Sequence, residues 1–237
     1  LYQTVHILGG RSLHLTAHLA VLDRWSRELF GRPAGFRQQP LARQIEALAA
    51  QTAPADCDLS QFVRIVVPAS GDPAFRLESE GISLYRGYDL RSLMPDAATL
   101  QYDMPFPEAP TSAREAAAGL ARQQARLHGA SVAVRCDGDG IVRTADDAPL
   151  FAVRGKTAFV SPAEACVERE LGLRAVEAAG LELEERPVMR GELPGFDELF
   201  YVDHRGVTAL AHCDGHPCMA ILAERVAQSL GGLFPKM

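Results

Sequence analysis

Apolar and polar positions change rhythm midway along this chain, around the stretch PTSAREAAAGLARQQARLHG from Pro110 to Gly129. Ser112 with Glu115 three residues later reads as a capping box, Ala and Leu fill the following turns, and Gly129 is placed to end them. The stretch therefore predicts a helix, and a Pro-rich approach, MPFPEAP, leads into it. After it, SVAVRCDGDGIVRTADDAPLFAVRGKTAFVSP alternates apolar and polar residues between Gly and Asp turns, the pattern of a strand meander. A second helix is expected at once, with Ser161 as its cap, Pro162 in the first helical position, Glu164 closing the box and an end near Ala179.

Upstream, YQTVHIL and GRSLHL read as strands joined by a turn, TAHLAVLDRWSRELFG as a helix capped by Thr16, and residues 41–50 as another helix. QFVRIVVPAS is the apolar run of a buried strand, and FRLESEGISLYRG and ATLQYDM add further strands. Downstream come LELEERPV, the pair ELFYVDH and GVTALAHC, and a last helix from about Met219 to Leu230. The order predicts an α+β chain with a small domain over residues 1–105, a linker over 106–112 and a large domain over 113–237.

With 237 residues, 47% hydrophobic and 23% charged, the chain can bury two modest cores. A net charge of -6 and a pI near 5.7 argue against a nucleic-acid partner. No apolar run approaches the roughly 18 residues of a membrane-spanning helix. Five cysteines (Cys57, Cys136, Cys166, Cys213, Cys218) are an odd number in a chain this long, which favours a reducing cytoplasm. The chain opens at Leu1, and a trimmed start is expected. Lysine occurs only at Lys156 and Lys236, leaving 24 − 2 = 22 arginines, a skew expected of a GC-rich coding sequence.

In order and spacing these elements resemble the class IV aminotransferases, the fold-type IV enzymes of pyridoxal phosphate (PLP) that include branched-chain and D-amino-acid aminotransferases and aminodeoxychorismate lyase. The resemblance is carried by YQTVHILGGRSLHLTAHLAVL, FVRIVV, ARQQARLHGA, DGDGIVRTADDAPLFAVRGKTAFVSP and LRAVEAAGLELEERPVMRGELPGFDELFYVDHRGVTAL. It covers nearly the whole chain, although the usual first strand of the small domain is absent. The implied fold is the two-domain fold of D-amino-acid aminotransferase. The implied assembly is a homodimer with each cleft at the dimer interface.

The chain departs from the family where the cofactor is held. The lysine that carries PLP as a Schiff base falls on Pro110, next to Thr111, and neither has an amine. The phosphate-binding arginine becomes Val21, and the phosphate turn becomes Glu164-Ala165-Cys166-Val167-Glu168. The acid that pairs with the pyridine nitrogen becomes Thr144. On these four losses no PLP is expected.

The resemblance carries other residues to the substrate side: Arg64, His6 on the neighbouring strand, Arg114 and Glu115 after the missing lysine, and the loop Asp203, His204, Arg205. Arg64, Arg114 and Arg205 suit binding of an anion, and His6, His204, Asp203 and Glu115 suit proton transfer. Arg64 also has a structural reading as a paired strand arginine, His6 and His204 as hydrogen-bonded histidines, and Arg114 and Glu115 as first-turn surface charges. Two functions follow: a PLP-independent lyase, dehydratase, isomerase or cyclase acting on a small anionic or carbonyl substrate, or a non-catalytic ligand-binding or partner subunit; a PLP-dependent aminotransferase or lyase stands a distant third. HCDGHPC (His212 to Cys218) gathers two His and two Cys, yet it lacks paired zinc-ligand spacing, and Asp214-Gly215 reads as a hairpin turn. No metal is expected there.

Overall fold

The computed structural model describes residues 1–52, 59–83, 90–91 and 93–232. Cys57 and Lys236 lie outside the described residues. The chain divides into two compact units, Leu1–Gly87 with Ala109–Ser112, and Tyr88–Glu108 with Ala113–Lys236.

In the first unit, β1 (Tyr2–Leu8), β2 (Arg11–Ser12), β3 (Ser60–Val66) and β4 (Arg76–Ser83) form an antiparallel sheet in the order β2-β1-β3-β4. The helices α1 (Leu15–Phe30) and α2 (Gln38–Thr52) supply its apolar cover. Val5, Ile7, Val63 and Ile65 alternate onto the face where Leu19, Leu22, Leu41 and Ile45 pack. Tyr2, Thr4 and His6 then share the opposite face with their cross-strand partners Arg64 and Phe62. Helix α1 is entered through His14, left-handed at φ 51° and without a side-chain cap. Thr16 is thus not the cap expected from the sequence. It already sits in the first turn, where its Oγ1 accepts a hydrogen bond from Gln38 Nε2.

The second unit holds β5 (Leu90–Arg91), β6 (Asp96–Gln101), β7 (Val132–Cys136), β8 (Val142–Ala145), β9 (Ala148–Arg154), β10 (Thr157–Val160), β11 (Glu182–Glu185), β12 (Glu198–Asp203), β13 (Gly206–Ala209), β14 (His212–Cys213) and β15 (His216–Pro217). They form one sheet in the order β15-β14-β6-β7-β8-β9-β12-β13-β5, with β10 pairing β9 and β11. Strands 90–101, expected in the small domain, join this sheet because β6 pairs in parallel with β7 and β5 with β13. Helix α3 (Ser112–Leu127) packs Ala121 and Ala125 on Ala98 and Ala133, a close approach that small side chains allow, and Gly129 follows its end at φ 78°.

Helix α4 (Val167–Ala178) begins later than the sequence predicts, with Cys166 as its uncapped entry. Ser161 instead accepts the backbone N–H of Val188, which leaves the expected Ser161–Glu164 box unformed. A short 3-10 helix (Arg190–Gly195) and α5 (Ile221–Gly232) complete the unit. Buried Glu198 receives the backbone N–H groups of Leu222 and Ala223, fixing the start of α5. No helix among the described residues is long and apolar enough to cross a membrane.

Candidate functional site

Two residues expected at the site belong to the first unit. His6 is fully buried, its Nε2 is 2.7 Å from Ser60 Oγ, and its ring tilts against Phe62 at 5.1 Å. Arg64 lies over the Tyr2 ring and its Nε is 2.7 Å from Glu80 Oε1. Both are held by their own sheet face.

The second unit gathers the other titratable groups near the starts of α3 and α4. The β8–β9 hairpin turns through Asp146 and Asp147, both left-handed, at φ 46° and 76°. Two residues with positive φ are what a tight two-residue hairpin turn demands, and non-glycine residues rarely supply both. Helix α3 grips each carboxylate, Arg122 Nε donating to Asp146 and Arg114 Nε to Asp147. Arg114 also donates to the backbone carbonyls of Asp147 and Glu108. Burial lowers the Arg114 guanidinium, but the Asp147 charge overrides it and the net shift is upward. Asp147 is pushed up by burial against the pull of Arg114.

Glu168, in the first turn of α4, feels the same charges. Its carboxyl is raised to about 6, first by burial and then by the charges of Asp203 and Asp147, against the pull of its own backbone N–H and of Arg114. A helix N-terminus ordinarily holds a carboxyl ionised, and here desolvation outweighs the dipole. Cys166 beside it is pushed up to about 12 by burial and then by Glu168. Arg135 and Tyr102 lie in the same field, the guanidinium lowered and the phenol raised, each first by burial.

Asp203, at the end of β12, is held by Arg91 Nη2 at 3.1 Å and by the backbone N–H of Arg205 at 2.8 Å. Arg91 is itself buried and donates to Thr208 Oγ1 and Tyr201 OH. His204 is half-buried in the β12–β13 turn, whereas the Arg205 side chain and Glu115 are exposed. Of the residues expected from the sequence, Arg114 and Asp203 thus meet in one electrostatic cluster. Glu168, Asp147 and Arg91 belong to it without having been singled out as acid–base or positioning groups. The repeated Asp of TADDAPL was the available signal for Asp147. Among the described residues no group of three His, Cys, Asp or Glu is gathered to hold a metal ion.

The chain matches the model of the family Amino-transferase class IV over residues 1–203. It belongs to that family. The branched-chain amino acid aminotransferase of Escherichia coli has a TM-score of 0.77 at 17% identity, over 99% of this chain and 85% of that one. A hypothetical aminotransferase from Mycobacterium tuberculosis, in its form with alpha-ketoglutarate and PMP bound, has a TM-score of 0.76 at 16% identity, over 98% and 89%. An aminotransferase from Brucella abortus bound to PLP has a TM-score of 0.75 at 19% identity, over 97% and 86%. These likenesses establish the two-unit α+β fold of fold-type IV. No curated protein matches the chain.

The relatives correct the expectation that PLP is absent, since structures of this fold carry PLP or PMP. Losing a lysine removes a covalent anchor, whereas PMP, the pyridoxamine form, bears an amine in place of the aldehyde and forms no imine with lysine. Pro110 and Thr111 do not fit a cofactor linked through lysine, and the one lysine among the described residues, Lys156, is exposed in the β9–β10 turn. Arg114 is committed to Asp147, and Glu168 stands in the first turn of α4.

Proposed function

We propose that this family member is an enzyme that moves a proton on a small anionic or carbonyl substrate through its own side chains. Glu168 supplies the acid–base group and Arg114 the fixed cation. The observation that carries the reading is the Arg114 guanidinium, clamped by the carboxylate and backbone carbonyl of Asp147 and sharing an electrostatic field with the Glu168 carboxyl, which burial raises to about 6. A carboxyl with that affinity for protons both accepts and donates near neutrality.

In the proposed step, Glu168 takes a proton from the carbon next to a carbonyl and the electron pair moves onto the carbonyl oxygen. Arg114, already oriented, stabilises the oxygen charge as it develops. Return of the proton to another carbon completes an isomerisation, and expulsion of a leaving group completes an elimination. Arg91 holds Asp203 in place, and Asp203 helps keep the Glu168 proton on. We further propose that the chain works as a homodimer, the commonest symmetric assembly.

Exchange of substrate protons in D2O tests this without knowledge of the product. A panel of 2-oxo acids, beginning with 2-oxoglutarate, is followed by proton NMR with the protein alone and with added PLP or PMP. The reading expects exchange beside the carbonyl that falls by roughly 10²–10⁴ in Glu168→Gln. Exchange unchanged in that variant rules out Glu168 as the proton carrier. No exchange under any condition, with ligands still bound, moves the protein to the binding or partner-subunit reading.

A further inference from the structure

A cavity of about 440 Å³ opens in the second unit at the C-terminal end of α3, lined in part by Asp96, Thr99, His128, Arg190, His212 and Asp214. His128 is fourteen residues from Arg114, roughly 20 Å along the helix at about 1.5 Å per residue, so the cavity is separate from the acid–base cluster. Its volume falls within the range of small-molecule sites, roughly 300–1,000 Å³. It also contains the part of HCDGHPC that neither the fold core nor the proposed chemistry uses.

The acids facing this cavity are already engaged. Asp96 Oδ1 lies 2.7 Å from His212 Nδ1, and Asp214 accepts the backbone N–H of Thr99 at 2.8 Å and its hydroxyl at 2.5 Å. The donors are not. Arg190 uses its backbone N–H on the Gly140 carbonyl, while its guanidinium has no hydrogen bond or ion pair among the described residues. The ring of His128 has none either, and His212 has Nε2 left after Asp96 takes Nδ1. A permanent cation with a flat fork of N–H donors, in a cavity that two imidazoles also line, matches the oxygens of a small anion.

We infer that Arg190, His128 and His212 form a second binding site, for a phosphate or carboxylate group of a small molecule. Asp96 fixes the His212 ring, and Asp214, by tying the β14–β15 hairpin to β6, fixes the position from which His212 reaches the cavity. The commitment of both carboxylates to protein donors reduces their competition for Arg190.

The test uses the full-length protein with carbon-13 in its histidine rings, the signals assigned by His128→Gln and His212→Gln, and titrated separately with inorganic phosphate and with succinate. The rings of His128 and His212 are expected to shift together and saturate, and the probe that saturates at lower concentration identifies the head group. Arg190→Gln, an exposed position where the fold should be kept, is expected to raise the dissociation constant about tenfold or more, as loss of a charge-assisted hydrogen bond predicts. Unchanged thermal unfolding of that variant confirms that the loss is local. If either ring fails to move with both probes, or if Arg190→Gln leaves the dissociation constant unchanged, the inference is overturned.

Discussion

Two hairpins of the second unit turn in nearly the same way, β8–β9 through Asp146-Asp147 at φ 46° and 76°, and β14–β15 through Asp214-Gly215 at φ 49° and 81°. They also dock alike on adjacent parallel strands. The Asp146 backbone N–H donates to the Ala133 carbonyl on β7 while its carboxylate accepts the N–H of Ala133. The Asp214 N–H donates to the Ala97 carbonyl on β6 while its carboxylate accepts the N–H of Thr99. The second turn residue is the difference. Gly215 takes the left-handed conformation freely, whereas Asp147 takes it with a side chain that draws Arg114 into the interior. A turn of this geometry needs no second carboxylate, so the Asp147–Arg114 pair answers a demand outside the turn, which on the function proposed above is a fixed guanidinium in the field of Glu168.

The largest effect that would break this comparison is at Arg114. Its side chain is 15% exposed and that of Asp147 21%, so Arg114→Ala strands a nearly buried carboxylate, at an expected cost of about 3–5 kcal/mol. Urea denaturation at pH 7 measures it. Adding Asp147→Gly to that variant removes the stranded charge and gives the turn a residue suited to φ 76°, so most of the loss should return. A cost below about 1 kcal/mol for Arg114→Ala would make the pair an ordinary surface contact.

Next in size is a pH signature at Glu168, beside the Asp146-Asp147 hairpin. Glu168 is raised from 4.5 to about 6, so the folded protein holds this proton more tightly than the unfolded chain. The stability it contributes is complete below about 4.5 and is lost as pH rises through about 6, a change of about 2 kcal/mol. Glu168→Gln keeps the neutral shape at every pH. Its stability relative to wild type should therefore rise by that amount between pH 4 and pH 7. A difference that stays flat with pH would remove Glu168 from the buried cluster.

Asp214→Ala should cost less, about 1–2 kcal/mol. It deletes the acceptor of two hydrogen bonds from Thr99, but Asp214 is exposed and water can reach part of the gap. Chemical denaturation again reads the effect. A loss equal to that of Arg114→Ala would erase the distinction between a hairpin pinned by neutral donors and one pinned by a buried charge.

Much of this fold was legible because strand alternation and the spacing of the turns are local signals, and the family motifs lie in the same order. The missed helix starts have one cause. Thr16 and Ser161 have capping chemistry, yet their hydroxyls are engaged by Gln38 and Val188, partners distant in sequence. The candidate site was less legible. Arg114 and Asp203 could be found by counting from motif positions, but Glu168 reads locally as a carboxylate stabilised by a helix dipole. Its burial beside Asp203 and Asp147 exists only once α4 packs on the sheet. Arg91 was missed because it stands on a two-residue strand whose partner, β13, lies more than a hundred residues away.

The smallest effect tests the turn geometry itself. Gly215 sits at φ 81°, and a Cβ built there would meet nothing within 4 Å, so Gly215→Ala carries only the backbone cost of placing an L-residue in the left-handed region. That cost is about 1 kcal/mol. At the matching position in the other hairpin, Asp147 already bears such a cost, offset by the bonds that Arg114 makes to its carboxylate and its backbone carbonyl. The two hairpins are equivalent as turns if Gly215→Ala loses about this much with an unchanged denaturant slope. A loss of several kcal/mol would mean that glycine is required at the second position of this hairpin for more than its φ. The equivalence, and with it the inference that Asp147 is present for the sake of Arg114, would then fail.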